Sequence, residues 1–386
     1  MLHLARITLV AASVLVSALI LEFAVRAIPL WPDQLSDFDP TLGMAHIPGA
    51  KGWWINVAHP LQFRTYVEIS SQGLHDRDYP SHKEVDGKRI LLLGDSITDA
   101  LEVNTEDNFA KQLESMLNKN SHHEVINGGH IGYGTDQELV FYRSRGHEFS
   151  PDIVILCFTP GNDIENNMGR GFANRPVFSL GDSGALALVS RPERPARRYG
   201  EYRGLNYQSL KDFLFDHFRS YQFIGFHLKT TVSAIGRAFP QNFSSAEPGA
   251  PGAGASDGGL GFTAGDDLEH GWALTQALIL ELSNEVYESG GEFVLAVMPD
   301  PRLVPSPSSA AAARALAERS RRLAALCGEH GLHCVDTVPL FESLIAEGHG
   351  PRLFIPNDGH PTAEGHLRIA QALNKYLSDS TLVPTR

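Results

Sequence analysis

Cysteine is scarce, with three residues in 386, too few for a disulfide-dense miniature scaffold or a four-cysteine zinc site. Positive charge is also short. Lys and Arg number 32 against 45 Asp and Glu, a formal net charge of −13, which argues against a nucleic-acid binder whose affinity rests on cations meeting phosphate. No internal repeat is visible, so repeat and fibrous architectures fall away. What remains is a chain that is 42% hydrophobic and 20% charged, the profile of a folded protein with a sizeable core. At roughly 150 residues per domain the length allows two or three units at most.

One long apolar run stands at the start. Fifteen uncharged residues, Ile7 to Leu21, lie between Arg6 and Glu22, and apolar character continues to Val25. Fifteen helical residues span only about 22 Å and nineteen about 28 Å, against a hydrocarbon core of about 30 Å. A cleaved secretory signal wants small residues at its last and third-last positions, and Ala24-Val25-Arg26 puts an arginine there. Residues 1–28 therefore read as an uncleaved signal anchor. Arg6 and the amino terminus would stay cytoplasmic and the remaining chain periplasmic or extracellular, although Arg26 weakens the charge asymmetry that sets this orientation. Disulfides are permitted in such a compartment, and Cys327 and Cys334 bracket a short Gly-Glu-His-Gly-Leu-His turn. Spacing alone does not establish the geometry a bridge needs.

Residues 29–88 are rich in proline, glycine and aromatics, and alternation over Phe63–Ile69 predicts a strand in a small β-rich lead-in. From Arg89 the pattern changes to short apolar runs, each followed by a loop and a helical period. Strands are predicted at Ile90–Leu93, Glu124–Asn127, Asp152–Phe158, Glu292–Met298 and Leu332–Asp336. Thr105 is expected to cap a helix with Phe109, Leu113, Met116 and Leu117 on one face. Further helices are predicted around Trp272, Ile279, Leu282 and Val286, ending at Gly290-Gly291, and over Ala310–Cys327 and Thr362–Leu377. Strands alternating with helices call for a mostly parallel sheet covered on both faces, which binds ligands at the carboxyl ends of its strands. An insertion at about 165–266 interrupts this domain of 89–377. It reads as a hairpin over Arg175–Val189, an aromatic-rich helix over Phe213–Ile235, and a Gly/Ala/Ser/Pro tract from Pro240 to Asp266 too poor in bulky apolar residues to pack.

Four loops at predicted strand ends carry chemistry. Gly94-Asp95-Ser96 presents a serine between a buried strand and a helix, although a helix cap would look the same. A second copy, Gly181-Asp182-Ser183, sits between two alternating runs and reads as a hairpin turn. Asn127-Gly-Gly-His-Ile-Gly-Tyr-Gly134 lets backbone approach a ligand and offers N–H groups to an anion, while its glycine order is not that of a dinucleotide fingerprint. Thr159-Pro-Gly-Asn-Asp163 contains Asn162, which is either a turn residue or an amide aimed at a developing oxyanion. Asn357-Asp-Gly-His-Pro361 precedes the last helix. A serine hydroxyl is a poor nucleophile at neutral pH, so it needs an adjacent base, and that base needs a partner that fixes its tautomer.

Together, and in this order, the four blocks resemble the SGNH, or GDSL-type, hydrolases over about 89–377. The resemblance implies a three-layer α/β/α sandwich around a mostly parallel sheet of about five strands. It implies Ser96 as nucleophile and His360 as its base, with the oxyanion held by the Ser96 and Gly132 N–H groups and the Asn162 amide. The family's commonest acid lies three residues before the histidine, where this chain has Asn357. Asp358, two residues before, matches the spacing of the alginate O-acetyltransferase branch and other extracytoplasmic relatives, and is the expected orienter of His360. No metal or cofactor is implied.

The expected activity is hydrolysis of acyl esters, acetyl foremost, of a carbohydrate or small molecule. An O-acyltransferase delivering the same acyl group to a polysaccharide hydroxyl shares the first half-reaction, and a non-catalytic glycan-binding protein is the reading from a different class. Arg191, Arg194, Arg197, Arg198 and Arg203 read as a solvated basic loop. His122, His123, His330 and His333 lack a completing ligand set and read as surface residues. Trp53 and Trp54 read as packing of the lead-in or its membrane-proximal face.

Overall fold

The computed structural model describes residues 2–28, 31–56, 61–81, 83, 86–119, 122–170, 174–181, 184–193, 207–238, 266–305 and 310–383. In chain order the elements are α1 (Leu2–Ala27), β1 (Ser36–Asp39), β2 (Gly43–His46), β3 (Lys51–Ile55), β4 (Arg64–Glu68), β5 (Arg89–Gly94), α2 (Ser96–Asp99), α3 (Phe109–Leu117), β6 (Glu124–Asn127), α4 (Thr135–Ser144), β7 (Ile153–Phe158) and α5 (Asp163–Asn167). There follow β8 (Val177–Leu180), β9 (Leu186–Ser190), α6 (Tyr207–His217), α7 (Arg219–Ala238), α8 (Asp266–Glu288), β10 (Glu292–Val297), α9 (Ala310–His330), β11 (His333–Asp336), α10 (Val338–Ala346), α11 (Gly350–Leu353) and α12 (Ala363–Asp379).

Five strands form one parallel sheet in the order β11-β10-β7-β5-β6, within one residue of each predicted strand boundary. Every residue of β5, β6 and β7 is buried. Continuous runs such as Ile90-Leu-Leu-Leu93 and Ile153-Val-Ile-Leu156 suit strands covered on both faces. The chain steps from β5 to β6 in one direction and from β6 back to β7 in the other. Right-handed crossovers therefore put α3 and α4 on opposite faces. Accordingly α12 packs on α3, and α8 packs on α4 and α5. The protein is an α/β sandwich built on a five-stranded parallel sheet.

Local chemistry shifts some expected boundaries. Asn108, not Thr105, caps α3 by accepting the Lys111 N–H at 2.9 Å, and Thr105–Asp107 forms a separate 3₁₀ turn. The hairpin over 175–189 is present as β8 and β9. The single helix expected over 213–235 is two, α6 and α7, broken at Phe218. The β1–β2 hairpin, α10 and α11 had no sequence signal, because β1 and β2 carry Asp, Gly and His where β-branched residues would mark a strand. His123 is buried, not on the surface, and its Nδ1 accepts the Lys88 N–H at 2.9 Å. Asp182, Ser183, Arg194, Arg197, Arg198, Arg203 and the tract from Pro240 to Gly265 lie outside the described residues.

The chain groups into two compact units. One comprises Met1–Asp33, Trp53–Arg64 and Pro195–Gly254, the other Gln34–Gly52, Thr65–Arg194 and Ala255–Arg386. In the first, Val25, Trp31 and Ile55 form a small core against which Trp53, Phe223 and Phe226 pack. Within α1, Ala5–Ala27 has a mean hydropathy of 2.3 and is long and apolar enough to cross a membrane. Its two charges near the end are satisfied locally. Glu22 pairs with Arg26 and accepts the Arg219 N–H and both the N–H and O–H of Ser220, at 2.6–3.2 Å. It thereby takes up amino-terminal N–H groups of α7 that have no partner inside that helix, which accounts for the break at Phe218.

In the second unit Cys327, on α9, and Cys334, on β11, are disulfide-bonded, while Cys157 is free and buried. Closing so short a loop removes roughly 2.5 kcal/mol of chain entropy from the unfolded state. Replacing both cysteines by serine should lower the stability of this unit by about 2 kcal/mol, read as a lower urea midpoint at unchanged slope. Superimposable curves for the two proteins would show that the bond contributes nothing.

Candidate active site

The direction of winding reverses between β5 and β7, which lie side by side with Gly94 in register with Cys157. In open α/β sheets such a reversal is where ligands bind, outside the carboxyl ends of the strands. Asp95 caps α2 by accepting the Ile97 N–H at 3.0 Å, and the helix stops after one turn at Ala100, whose φ of 58° is left-handed. Ser96 is half-buried while the residues flanking it from 91 to 100 are buried. The turn therefore presents one side chain and hides the others.

His360 reaches Ser96 from the loop ahead of α12. Its Nε2 lies 2.9 Å from Ser96 Oγ, and its Nδ1 lies 2.6 Å from Asp358 Oδ1. The loop is drawn tight by hydrogen bonds from the Gly359 N–H to the Ile355 carbonyl and from the Ile355 N–H to the His360 carbonyl. Asn357 and Gly359 both have positive φ, 60° and 98°. Asparagine and glycine are the residues that adopt this region most readily, and these two turns aim Asp358 and His360 to the same side. Asp358 is buried against the imidazole, whereas Asn357 is exposed.

The remaining predicted residues come from the neighbouring loops. Asn162 starts α5 and donates from Nδ2 to Asp95 Oδ2 at 3.0 Å. An amide nitrogen carries two hydrogens, so the bond to Asp95 uses one and sets the direction of the other. Arg319 of α9 supports this loop from behind, donating to the Pro160 carbonyl at 2.6 Å and to the buried Glu165. Gly132 lies on the loop after β6, which presses against α2. A Cβ at Gly129 would sit 2.5 Å from the Asp99 nitrogen, so a larger residue would push the loop away. Ile131, directly before Gly132, donates its N–H to Asp99 Oδ2 at 2.9 Å. Ser96, His360 and Asp358 are thus joined in one line through the imidazole, and Asn162 and the neighbour of Gly132 are tied to the Ser96 turn through Asp95 and Asp99.

Glu102 went unnoticed in the sequence. Its Oε1 lies 3.6 Å from His360 Nδ1 on the flank of Asp358. Burial alone would depress the imidazole, but the charges of Glu102 and Asp358 outweigh it and push His360 up to about 9. Burial pushes Glu102 up to about 7, opposed by His360 and reinforced by Asp358. Among the described residues, Glu102, Asp358 and His360 have ligand-type atoms within 4.8 Å of one another. The 2.6 Å contact is that of an imidazole N–H on a carboxylate, with Glu102 beside the pair at ion-pair distance. No spacing rule would have flagged Glu102, because the left-handed turn at Ala100 redirects the chain after α2.

No protein-family model matches the chain, and no curated protein matches it. Among solved structures it is similar to Axe2, an acetylxylan esterase from Geobacillus stearothermophilus, at 14% identity over 77% of this chain and 97% of that one, with a TM-score of 0.42. It is also similar to LAE5, an alpha/beta hydrolase enzyme from the metagenome of Lake Arreo, Spain, at 13% identity over 76% of this chain and 95% of that one, with a TM-score of 0.40. Superpositions this loose transfer neither residues nor activity.

The electrostatics can be read without any substrate. In ring-nitrogen NMR of histidine-labelled protein His360 should titrate near pH 9. Glu102→Gln, which removes one of the two nearby negative charges, should lower that midpoint by about one unit. An unchanged midpoint would mean that Glu102 does not act on the imidazole.

Proposed function

We propose that this protein is a membrane-anchored serine esterase that removes acyl groups, acetyl foremost, from a carbohydrate or a small ester. The observation that carries the reading is the unbroken line from Ser96 Oγ through His360 to Asp358, with contacts of 2.9 and 2.6 Å. A serine used only for packing has no need of a buried imidazole on its hydroxyl and a buried carboxylate behind that imidazole.

In the proposed reaction Ser96 Oγ attacks the ester carbonyl carbon while its proton passes to His360 Nε2. Asp358 keeps the other ring proton on Nδ1 and stabilises the imidazolium that forms. The carbonyl oxygen, now negative, takes hydrogen bonds from the Ser96 and Gly132 N–H groups and from the second hydrogen of the Asn162 amide. Collapse of the tetrahedral species breaks the ester bond. The leaving alcohol receives the proton from His360, and a water molecule attacks the acyl-enzyme by the same route to release the acid. Base assistance contributes about 10²–10⁴-fold and a single oxyanion donor about 10²–10³-fold. His360 must be neutral to accept the proton, so its elevated proton affinity predicts a rate that climbs with pH towards about 9. Transfer to a sugar hydroxyl would use the same acyl-enzyme but would require an acceptor subsite as well; hydrolysis needs only the groups named.

Anchoring is supported by the apolar length of α1 and by the pairing of the buried Glu22 with Arg26 and Ser220, which lowers the cost of carrying charge in an apolar span. The disulfide is compatible with an oxidising compartment, so the catalytic unit is assigned to the extracytoplasmic side, with Arg6 facing the cytoplasm.

The test is intact-mass spectrometry of the full chain in detergent after exposure to a fluorophosphonate. Wild type should gain one adduct and Ser96→Ala none. His360→Ala should label at least about 10²-fold more slowly and Asn162→Ala about 10²-fold more slowly, with Asp358→Asn less affected. Folded wild-type protein that takes no adduct would overturn the serine-enzyme reading.

A further inference from the structure

Beneath the loop that carries Gly132 lies a second array of histidines around a buried carboxylate. Asp99, the last residue of α2, accepts the Ile131 N–H on Oδ2 at 2.9 Å, and its Oδ1 lies 3.0 Å from His46 Nε2. His75 donates from Nδ1 to the Asp99 carbonyl at 2.7 Å. On its other side His46 presents Nδ1 to Ser36 Oγ at 3.0 Å, and the same hydroxyl lies 3.1 Å from His130 Nε2. His130 Nδ1 lies 2.9 Å from the Ile131 carbonyl. The three histidines and Asp99 are buried.

Acceptors fix the outer protons of this array. A carbonyl only accepts, so His75 Nδ1 and His130 Nδ1 hold protons towards the Asp99 and Ile131 carbonyls. Asp99 stays below the usual carboxylate range, because the facing histidines, His46 first, outweigh the effect of burial. A carboxylate too only accepts, so His46 Nε2 donates to it. The Ser36 hydroxyl stands between His46 Nδ1 and His130 Nε2 and ties the two rings together.

We propose that His46 and Asp99 are positioning residues that set the spacing between the backbone donors of Ser96 and Gly132. Asp99 belongs to the same single turn as Ser96 and holds the N–H of Ile131, the neighbour of Gly132. One carboxylate therefore couples the nucleophile's helix to the second oxyanion donor, and His46 fixes the orientation of that carboxylate. Tyr133 fastens the far side of the loop, stacking on His130 and donating its hydroxyl to the Met44 carbonyl at 2.7 Å. The role assigned to the pair rests on the serine-esterase reading; the hydrogen bond between them does not.

Two measurements on the full chain test the pair. In ring-nitrogen NMR of wild type, His46 Nε2 should carry the proton that bonds Asp99, and its resonance should shift in Asp99→Asn. In fluorophosphonate kinetics, His46→Gln and Asp99→Asn should lose about 10–10²-fold in the maximal labelling rate at unchanged half-saturating reagent concentration. A merely structural role would instead lower thermal stability and leave the rate of the folded fraction intact. Wild-type labelling rates in both folded variants would overturn the proposal, as would a His46 Nε2 without a proton in wild type, a reading that stands even if neither variant folds. Failure of Ser96 itself to label would sink the esterase reading and leave the His46 spectrum to be judged separately.

Discussion

The site hangs on a single turn of helix, Ser96–Asp99, that starts at the carboxyl end of β5 and stops at a left-handed alanine. Polar side chains in and around that turn meet three neighbouring loops. Asp95 takes the Asn162 amide, Ser96 faces His360, Asp99 takes the Ile131 N–H, and Glu102 lies against the far side of the imidazole. A longer helix would have carried Glu102 away from His360 at 1.5 Å per residue. One turn and a reversal instead bring three carboxyl groups within reach of three separate segments. The sheet makes this possible: β5 lies between β6 and β7, so the loops on both sides emerge next to the turn.

So many buried acids would be destabilising if left alone, since an uncompensated charge in the interior costs several kcal/mol. Each is met differently. Asp99 meets the His46 ring and the Ile131 N–H and is held below the ordinary carboxylate range. Asp95 is pushed above the ordinary range by burial even though the Asn162 amide and the Ile97 N–H pull the other way. Glu102 and Asp358 share one histidine, and their combined charge is what raises His360. A base held this way releases its proton reluctantly, which in the proposed reaction would suit a group that carries it from Ser96 to a leaving alcohol.

The parallel sheet was legible because its strands are buried on both faces and therefore read as unbroken apolar runs, and the loops that end them held the chemical residues. Ser96, Asn162 and His360 could be found from composition and order alone. Asp358 could be preferred over Asn357 only by resemblance, and the physical reason lies in the backbone: left-handed turns at 357 and 359 are not visible as a pattern. Glu102, Asp99 and His46 escaped notice for a related reason. Their partners lie 258, 32 and 53 residues away in the chain, and no local periodicity reports such meetings. Likewise the helix break at Phe218 depends on Glu22, a residue 197 positions from the N–H it accepts.

That last contact bears on how the first unit is built. Glu22 looked like a flaw in an apolar helix, and Arg26 looked like an argument against the expected orientation. In the folded chain the two are neighbours on one face, bonded to each other, with the start of α7 on the carboxylate and the His217 carbonyl on the guanidinium. Opposite charges that bond each other are far less costly near the end of an apolar span than two separate ions. The same pair supplies the N–H acceptor that lets α6 end and α7 begin. The residues that break the apolar run of α1 are therefore the ones that hold the inserted helices to it.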